Sequence, residues 1–169
     1  MTKLAIVTDI GRAHERRGRD MLREFCRTNR SEFIATSPSH PCDVDGFAAR
    51  NGEIVAVLEA KSRTGYSLYD MQRMGATLLI SQSKLEAMTD MARRLGVPAV
   101  LVTQFEDGHK WYWRIANADG SPGFPWDCRK SVTKSDSVGG PDVVRLNAFL
   151  PLDSGVCWYA PAESTAQER

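Results

Sequence analysis

The sequence lacks any apolar run approaching the eighteen residues a membrane-spanning helix needs, and its start does not read as a secretory leader. These absences predict a cytoplasmic protein with no membrane partner. Paired cysteines are missing too. Cys26, Cys42, Cys128 and Cys157 are scattered with no CxxC, and although His40 stands beside Cys42, no second pair follows at zinc-ligand spacing. Free thiols, buried in a reducing compartment, are the expectation. Net charge is nearly absent: 22 basic against 21 acidic residues give +1. The chain is not a polycation, so any affinity for nucleic acid must come from a local patch. No internal repeat or low-complexity block is present. What remains is 169 residues, 42% hydrophobic and 25% charged, enough for one compact domain with its own core.

One local patch exists. Seven arginines (12, 16, 17, 19, 23, 27, 30) lie between Arg12 and Arg30, against only Glu15, Asp20 and Glu24. A solvated helix face is the plain reading; a phosphate-binding face is the functional one. Residues 12–27 read as a helix, with Met21, Leu22, Phe25 and Cys26 on one stripe. A short strand is expected at 31–38. Strands at 43–50 and 53–61 flank Asn51-Gly52, a strong hairpin signal. "ATLLIS" (76–81) reads as a short apolar strand. Ser83 with Glu86 suggests a capping box opening a helix that Gly96 and Pro98 close. Residues 97–105 and 109–115 read as two further strands paired across Asp107-Gly108. This order predicts an α/β protein, a mixed sheet with helices on its faces.

From Gly120 onward, Gly, Pro and Ser accumulate. Strand-like runs appear only at 142–150 and 156–160. The expectation is a single domain over 1–160, with a core at about 11–115, an irregular C-terminal extension at 116–160 and a frayed tail at 161–169. "KWYWR" (110–114) reads as a core or edge strand, or as a platform for bases. Arg129, Lys130 and Lys134 read as a solvated loop or a second phosphate contact.

The stretch "DVDGFAARNGEIVAVLEAKSR" (43–63) carries the chemistry. Strand alternation puts Glu59 and Lys61 on one face with Val55 and Val57. A buried carboxylate and ammonium need partners. A two-residue loop at Asn51-Gly52 pairs Arg50 with Glu53 and sends Asp43 and Asp45 to the other face. A three-residue loop pairs Ala49 with Glu53 and sets Asp43 opposite Glu59, gathering the charges at one edge. The energetics favour the second, and the residues alone do not exclude the first. Glu15 lies about 20° from Leu22 on the helical wheel and so points toward the core side. These oxygen donors suit a hard divalent cation, Mg²⁺ or Mn²⁺.

Asp45, fourteen residues, then Glu59-Ala60-Lys61 resembles the PD-(D/E)XK nuclease core. "EAKSR" after "DGFAARNG" is similar to archaeal Holliday-junction resolvases and related phage nucleases, and "GRAHER" (11–16) resembles the acid-bearing first helix. The resemblance spans residues 11 to 105. It implies a restriction-endonuclease-like mixed β-sheet flanked by helices with an αβββαβ core. It also implies a metal-dependent deoxyribonuclease, an endonuclease acting on duplex or branched DNA. On this resemblance Asp45, Glu59, the Ala60 carbonyl and Glu15 would hold the metal, and Lys61 would serve the attacking water. Arg12, Arg16, Arg17, Arg19 and Arg63 would contact DNA phosphates. The chain departs from the pattern at Pro41-Cys42-Asp43-Val44-Asp45, which offers two aspartates. Asp45 is preferred and Asp43 is the runner-up. Gln72 is a weak match to a glutamine that some family nucleases carry. The rival reading is a catalytically silent DNA-binding or assembly module of the same fold. Whether the protein is a monomer or a homodimer is not legible.

Overall fold

The computed structural model describes residues 9–37, 43–63, 65–134 and 141–162. His40, Cys42 and most of the expected tail lie outside these residues, as do the side chains of Arg12 and Lys134. The chain opens with helix α1 (Asp9–Thr28), followed by strands β1 (Glu32–Ala35), β2 (Gly46–Arg50) and β3 (Glu53–Arg63). Short helix α2 (Leu68–Arg73) leads to β4 (Thr77–Ser81), helix α3 (Gln82–Leu95), β5 (Ala99–Phe105) and β6 (Lys110–Ala116). Strands β7 (Asp127–Lys134), β8 (Asp142–Pro151) and β9 (Val156–Tyr159) complete the described fold.

Two sheets result. The larger has the order β1-β2-β3-β5-β6-β9, and β3 with β5 is its parallel pair. The smaller, β4-β8-β7, is antiparallel. The helical stripe of α1 buries Met21, Leu22, Phe25 and Cys26 against Ala48, Leu58 and Val102 on one face of the larger sheet. On the opposite face Val57, Leu101, Phe105 and Trp113 pack against Leu85, Met88 and Ala92 of α3 and against Leu78, Ile80 and Leu150 of the smaller sheet. The larger sheet is thus the middle layer, and its strands are apolar on both faces.

The "KWYWR" strand belongs to this core rather than offering a base platform. Trp113 is fully buried, and its indole N–H donates to the Pro151 carbonyl at 2.8 Å. Trp111 donates to the Leu152 carbonyl at 3.0 Å, and Tyr112 packs on Phe25 with ring centroids 5.4 Å apart. These bonds tie the end of β8 to the larger sheet.

The start of α3 differs from expectation. β4 runs into α3 without a loop, so Ser81 is the N-cap and Ser83 already lies in the first turn. Glu86 accepts from the Gln82 amide at 2.7 Å instead of closing a capping box. Among the described residues a capping box is found at α2, where Ser67 and Asp70 exchange side-chain and backbone bonds. Gly96, at φ 65°, ends α3 as its position predicted.

The C-terminal extension is more regular than its composition suggests. β8 and β9 coincide with the two strand-like runs, and β7 is an additional strand carrying Arg129 and Lys130. β7 is an edge strand with most of its side chains in solvent, so it shows no apolar alternation to read. Of the thiols, Cys26 is buried as expected, whereas Cys128 and Cys157 are exposed. Among the described residues no helix is long and apolar enough to cross a membrane.

Candidate active site

The hairpin register assembles the site. Asn51 and Gly52, at φ 54° and 81°, form a two-residue turn that pairs Arg50 with Glu53. The favoured three-residue loop is therefore not formed. Continued unchanged, the two-residue register would turn Asp45 away from Glu59. It is changed by a β-bulge: Ala49 pairs with Ile54, but Ala48 pairs with Ala56. One extra residue in β3 shifts everything beyond it, and Gly46 comes to pair with Leu58. Asp45, one step outward, then lies across from Glu59. The bulge does what neither simple loop does, re-aiming a side chain next to a polar site.

Beyond Gly46 the two strands part. β3 continues to Arg63, still paired with β5 on its other edge. Asp45 fills the gap. Its Oδ2 accepts the Ala60 N–H at 2.8 Å, and its own N–H donates to Glu59 Oε2 at 3.2 Å. The N–H and C=O of one strand residue point to the same edge, so the Ala60 carbonyl faces this gap as well. The backbone feeding Asp45 is pinned: Thr36 Oγ1 donates to the Val44 carbonyl at 2.6 Å and the Thr36 N–H to the Asp45 carbonyl at 3.1 Å. Gly46 permits the close passage of β1, because a Cβ there would lie 2.4 Å from the Ile34 carbonyl oxygen.

Glu59 is only 6% exposed. Burial, then the charge of Asp45, pushes its pKa up to about 7. Burial also raises Asp45, against the opposing pull of the Ala60 N–H, Lys84 and Arg19. Lys84, in the first turn of α3, sets its Nζ 3.2 Å from Glu59 Oε1 and 2.9 Å from Asp43 Oδ1. Burial opposes the ammonium, but the two acids outweigh it and raise its pKa. Asp43 is thus an exposed partner of Lys84, and Asp45 is the aspartate that meets Glu59. Lys84 is a site residue that the motif does not include. The available signal is its spacing, four residues before Met88 and seven before Met91, which puts it on the apolar stripe of its helix.

Glu15 reaches the site from the other side of the sheet. α1 crosses β3 at Gly18, where a Cβ would lie 3.2 Å from that of Ala60. Glu15 lines the same cavity of about 400 Å³ as Asp45, Glu59, Lys61 and Arg63. Its carboxylate is half-exposed and paired with Arg19 at 2.8 Å. Among the described residues no three of His, Cys, Asp and Glu are gathered closely enough to hold a metal ion. The expected set of converging acids is therefore a close pair, Asp45 and Glu59, with Glu15 at the mouth.

Lys61 shares the strand face of Glu59, and its carbonyl accepts from Thr103 Oγ1. The arginines separate. Arg16 and Arg17 are exposed on α1, whereas Arg19 turns to Glu15 and the Thr36 carbonyl. Arg63 is largely buried and donates to the Leu79 carbonyl of β4. Arg12 lies within α1, and Gln72 is exposed on α2.

The donor set fits a hard divalent cation. Two adjacent carboxylates and a backbone carbonyl face one gap, and their mutual repulsion is what a cation would relieve. A measurable consequence concerns the metal-free protein. Free Glu titrates at 4.5, but Glu59 titrates near 7. The folded state holds a proton that the unfolded chain has released, so stability should fall as pH rises from about 4.5 to about 7, by roughly 3 kcal/mol. Thermal unfolding in EDTA across that window should show the decline, and Glu59→Gln should flatten it. Equal slopes in the two proteins would remove Glu59 as its cause.

A first-helix acid above a hairpin aspartate, set against a Glu-x-Lys strand, defines a nuclease of the PD-(D/E)XK class. The family model of phage PDDEXK endonucleases matches residues 13–122, and the chain belongs to that family. Among solved structures the chain is similar to Hjc, a Holliday junction resolvase of the archaeal hyperthermophile Archaeoglobus fulgidus. The two are 14% identical, the match covers 80% of this chain and 91% of that one, and the TM-score is 0.47. No curated protein matches the sequence.

Proposed function

We propose that the protein is a divalent-metal-dependent deoxyribonuclease that cuts within duplex or branched DNA. The observation that carries this reading is the juxtaposition of Asp45 and Glu59 where β2 and β3 part, with Lys61 on the same strand face as Glu59. Asp45, Glu59 and the Ala60 carbonyl would hold Mg²⁺ or Mn²⁺, with Glu15 approaching from α1. Bound there, the ion would supply Lewis-acid neutralisation of the scissile phosphate. Lys61 orients the attacking water and screens the charge that builds on the phosphate oxygens. Arg16 and Arg17 hold backbone phosphates without regard to sequence.

The test is cleavage of linear duplex, single-stranded and four-way-junction DNA with Mg²⁺ or Mn²⁺. Cleavage should require the ion and stop in EDTA. Undiminished cutting in EDTA would refute the mechanism. DNA binding without cutting of any substrate would favour the silent module.

A further inference from the structure

A second cavity, of about 370 Å³, adjoins the first at the C-terminal ends of β3 and β5. The two share His14, Ser62 and Arg63. The second is completed chiefly by Arg17, Gln104 and Glu106. Its lining is mostly polar donors. Ser62 and Gln104 sit side by side in the parallel register of β3 and β5, and both residues are partly exposed. Arg17 projects from α1 one turn on from His14. Among the described residues, no ion pair or side-chain hydrogen bond takes up Arg17, Ser62 or Gln104. Arg63 spends one amino group on Leu79, but its buried Nε has no partner. A buried guanidinium N–H left unbonded is costly and asks for an acceptor. Two arginines outnumber Glu106, whose side chain is exposed, so the cavity favours an anion.

Position identifies the anion. Arg63 follows Lys61 by two residues on the same strand face, a step of about 7 Å. A DNA strand with its scissile phosphate at Asp45, Glu59 and Lys61 needs one nucleotide of backbone to enter the second cavity. We propose that this cavity holds the phosphodiester next to the scissile one on the same strand. A strand that continues past the cut is then bound better, which makes the enzyme favour internal bonds over the last linkage of an end. This inference rests on the nuclease reading above.

The experiment is a charge-removal cycle. Single uncharged methylphosphonate linkages are placed at each phosphate flanking the cut in a short DNA substrate. Wild type and Arg17→Ala are then compared in Mg²⁺ cleavage and in Ca²⁺ binding titrations. Arg17 is exposed, so its removal does not disturb the core, and Gln104→Ala serves as the second variant. In the wild type, one linkage adjoining the cut should raise KM by about tenfold, the worth of one charge-assisted hydrogen bond, with kcat little changed. In both variants the same neutral linkage should cost clearly less than in the wild type, because one of its partners is already gone. An equal penalty in wild type and variants, or no penalty at either neighbouring linkage, would overturn the subsite. If the wild type cuts nothing, the nuclease reading fails by itself. The Ca²⁺ binding cycle then still decides the cavity, by whether any one linkage couples to Arg17.

Discussion

Asp45→Asn should abolish metal-dependent cleavage while DNA is still bound, and Asp43→Asn should leave most of the activity. The asymmetry follows from the bulged register. Asp45 stands across from Glu59 and is bonded to the Ala60 N–H, so its carboxylate charge adds directly to the pair. Asp43 is exposed, and its visible work is to hold Lys84. The Asn side chain can still accept the Ala60 N–H, so the fold survives and the loss is one of charge. Loss of one ligand in a two-carboxylate site should lower the single-turnover rate by three orders of magnitude or about that. Single-turnover cleavage beside binding in Ca²⁺ measures both quantities. An active Asp45→Asn with an inactive Asp43→Asn would reverse the assignment.

Lys61→Ala should cut the rate by roughly a hundredfold or more, the usual effect of removing a group that handles a proton or stabilises developing charge. On the proposed mechanism the work of Lys61 is in the transition state, so DNA affinity should fall only slightly. Metal affinity should hold or rise, because a cation beside the carboxylates has been removed. Lys84 keeps its own contact with Glu59 in this variant, which separates the two lysines. If the substitution abolishes binding and leaves the rate per bound complex intact, Lys61 is a docking residue.

Much of this site is legible in the sequence, because strand and helix periodicities act over short range. The stripe of α1, a hairpin at Asn51-Gly52 and the Glu59/Lys61 alternation are local patterns and are present, although the turn is the two-residue one and not the favoured three-residue loop. Asp45, the preferred aspartate, is the one that meets Glu59, but the route to that pairing is not legible. The register shift between Ala48 and Ala49 is not announced by any residue of "GFAARNGEIVAV". Lys84 is remote in sequence and joins the site through the docking of α3. Arg19 and Arg63 read as phosphate contacts because they are arginines, yet the fold supplies each with an internal acceptor first. β7 escapes notice for the opposite reason: as an exposed edge it buries too little to leave a pattern.

The contact between Lys84 and Glu59 has one more consequence. Many small metalloproteins cannot fold until their ion arrives, because the site does not exist before the ion binds and binding supplies the free energy of folding. Here a tethered ammonium from a neighbouring layer already faces the buried acid. The close pair of Asp45 and Glu59 is therefore held by the polypeptide itself, and on the proposed function an entering ion would meet that pair already in place. On the proposed metal dependence, such a protein would keep its shape where divalent ions are scarce, with its chemistry dormant. Arrival of the ion would then act as a trigger and not as scaffolding.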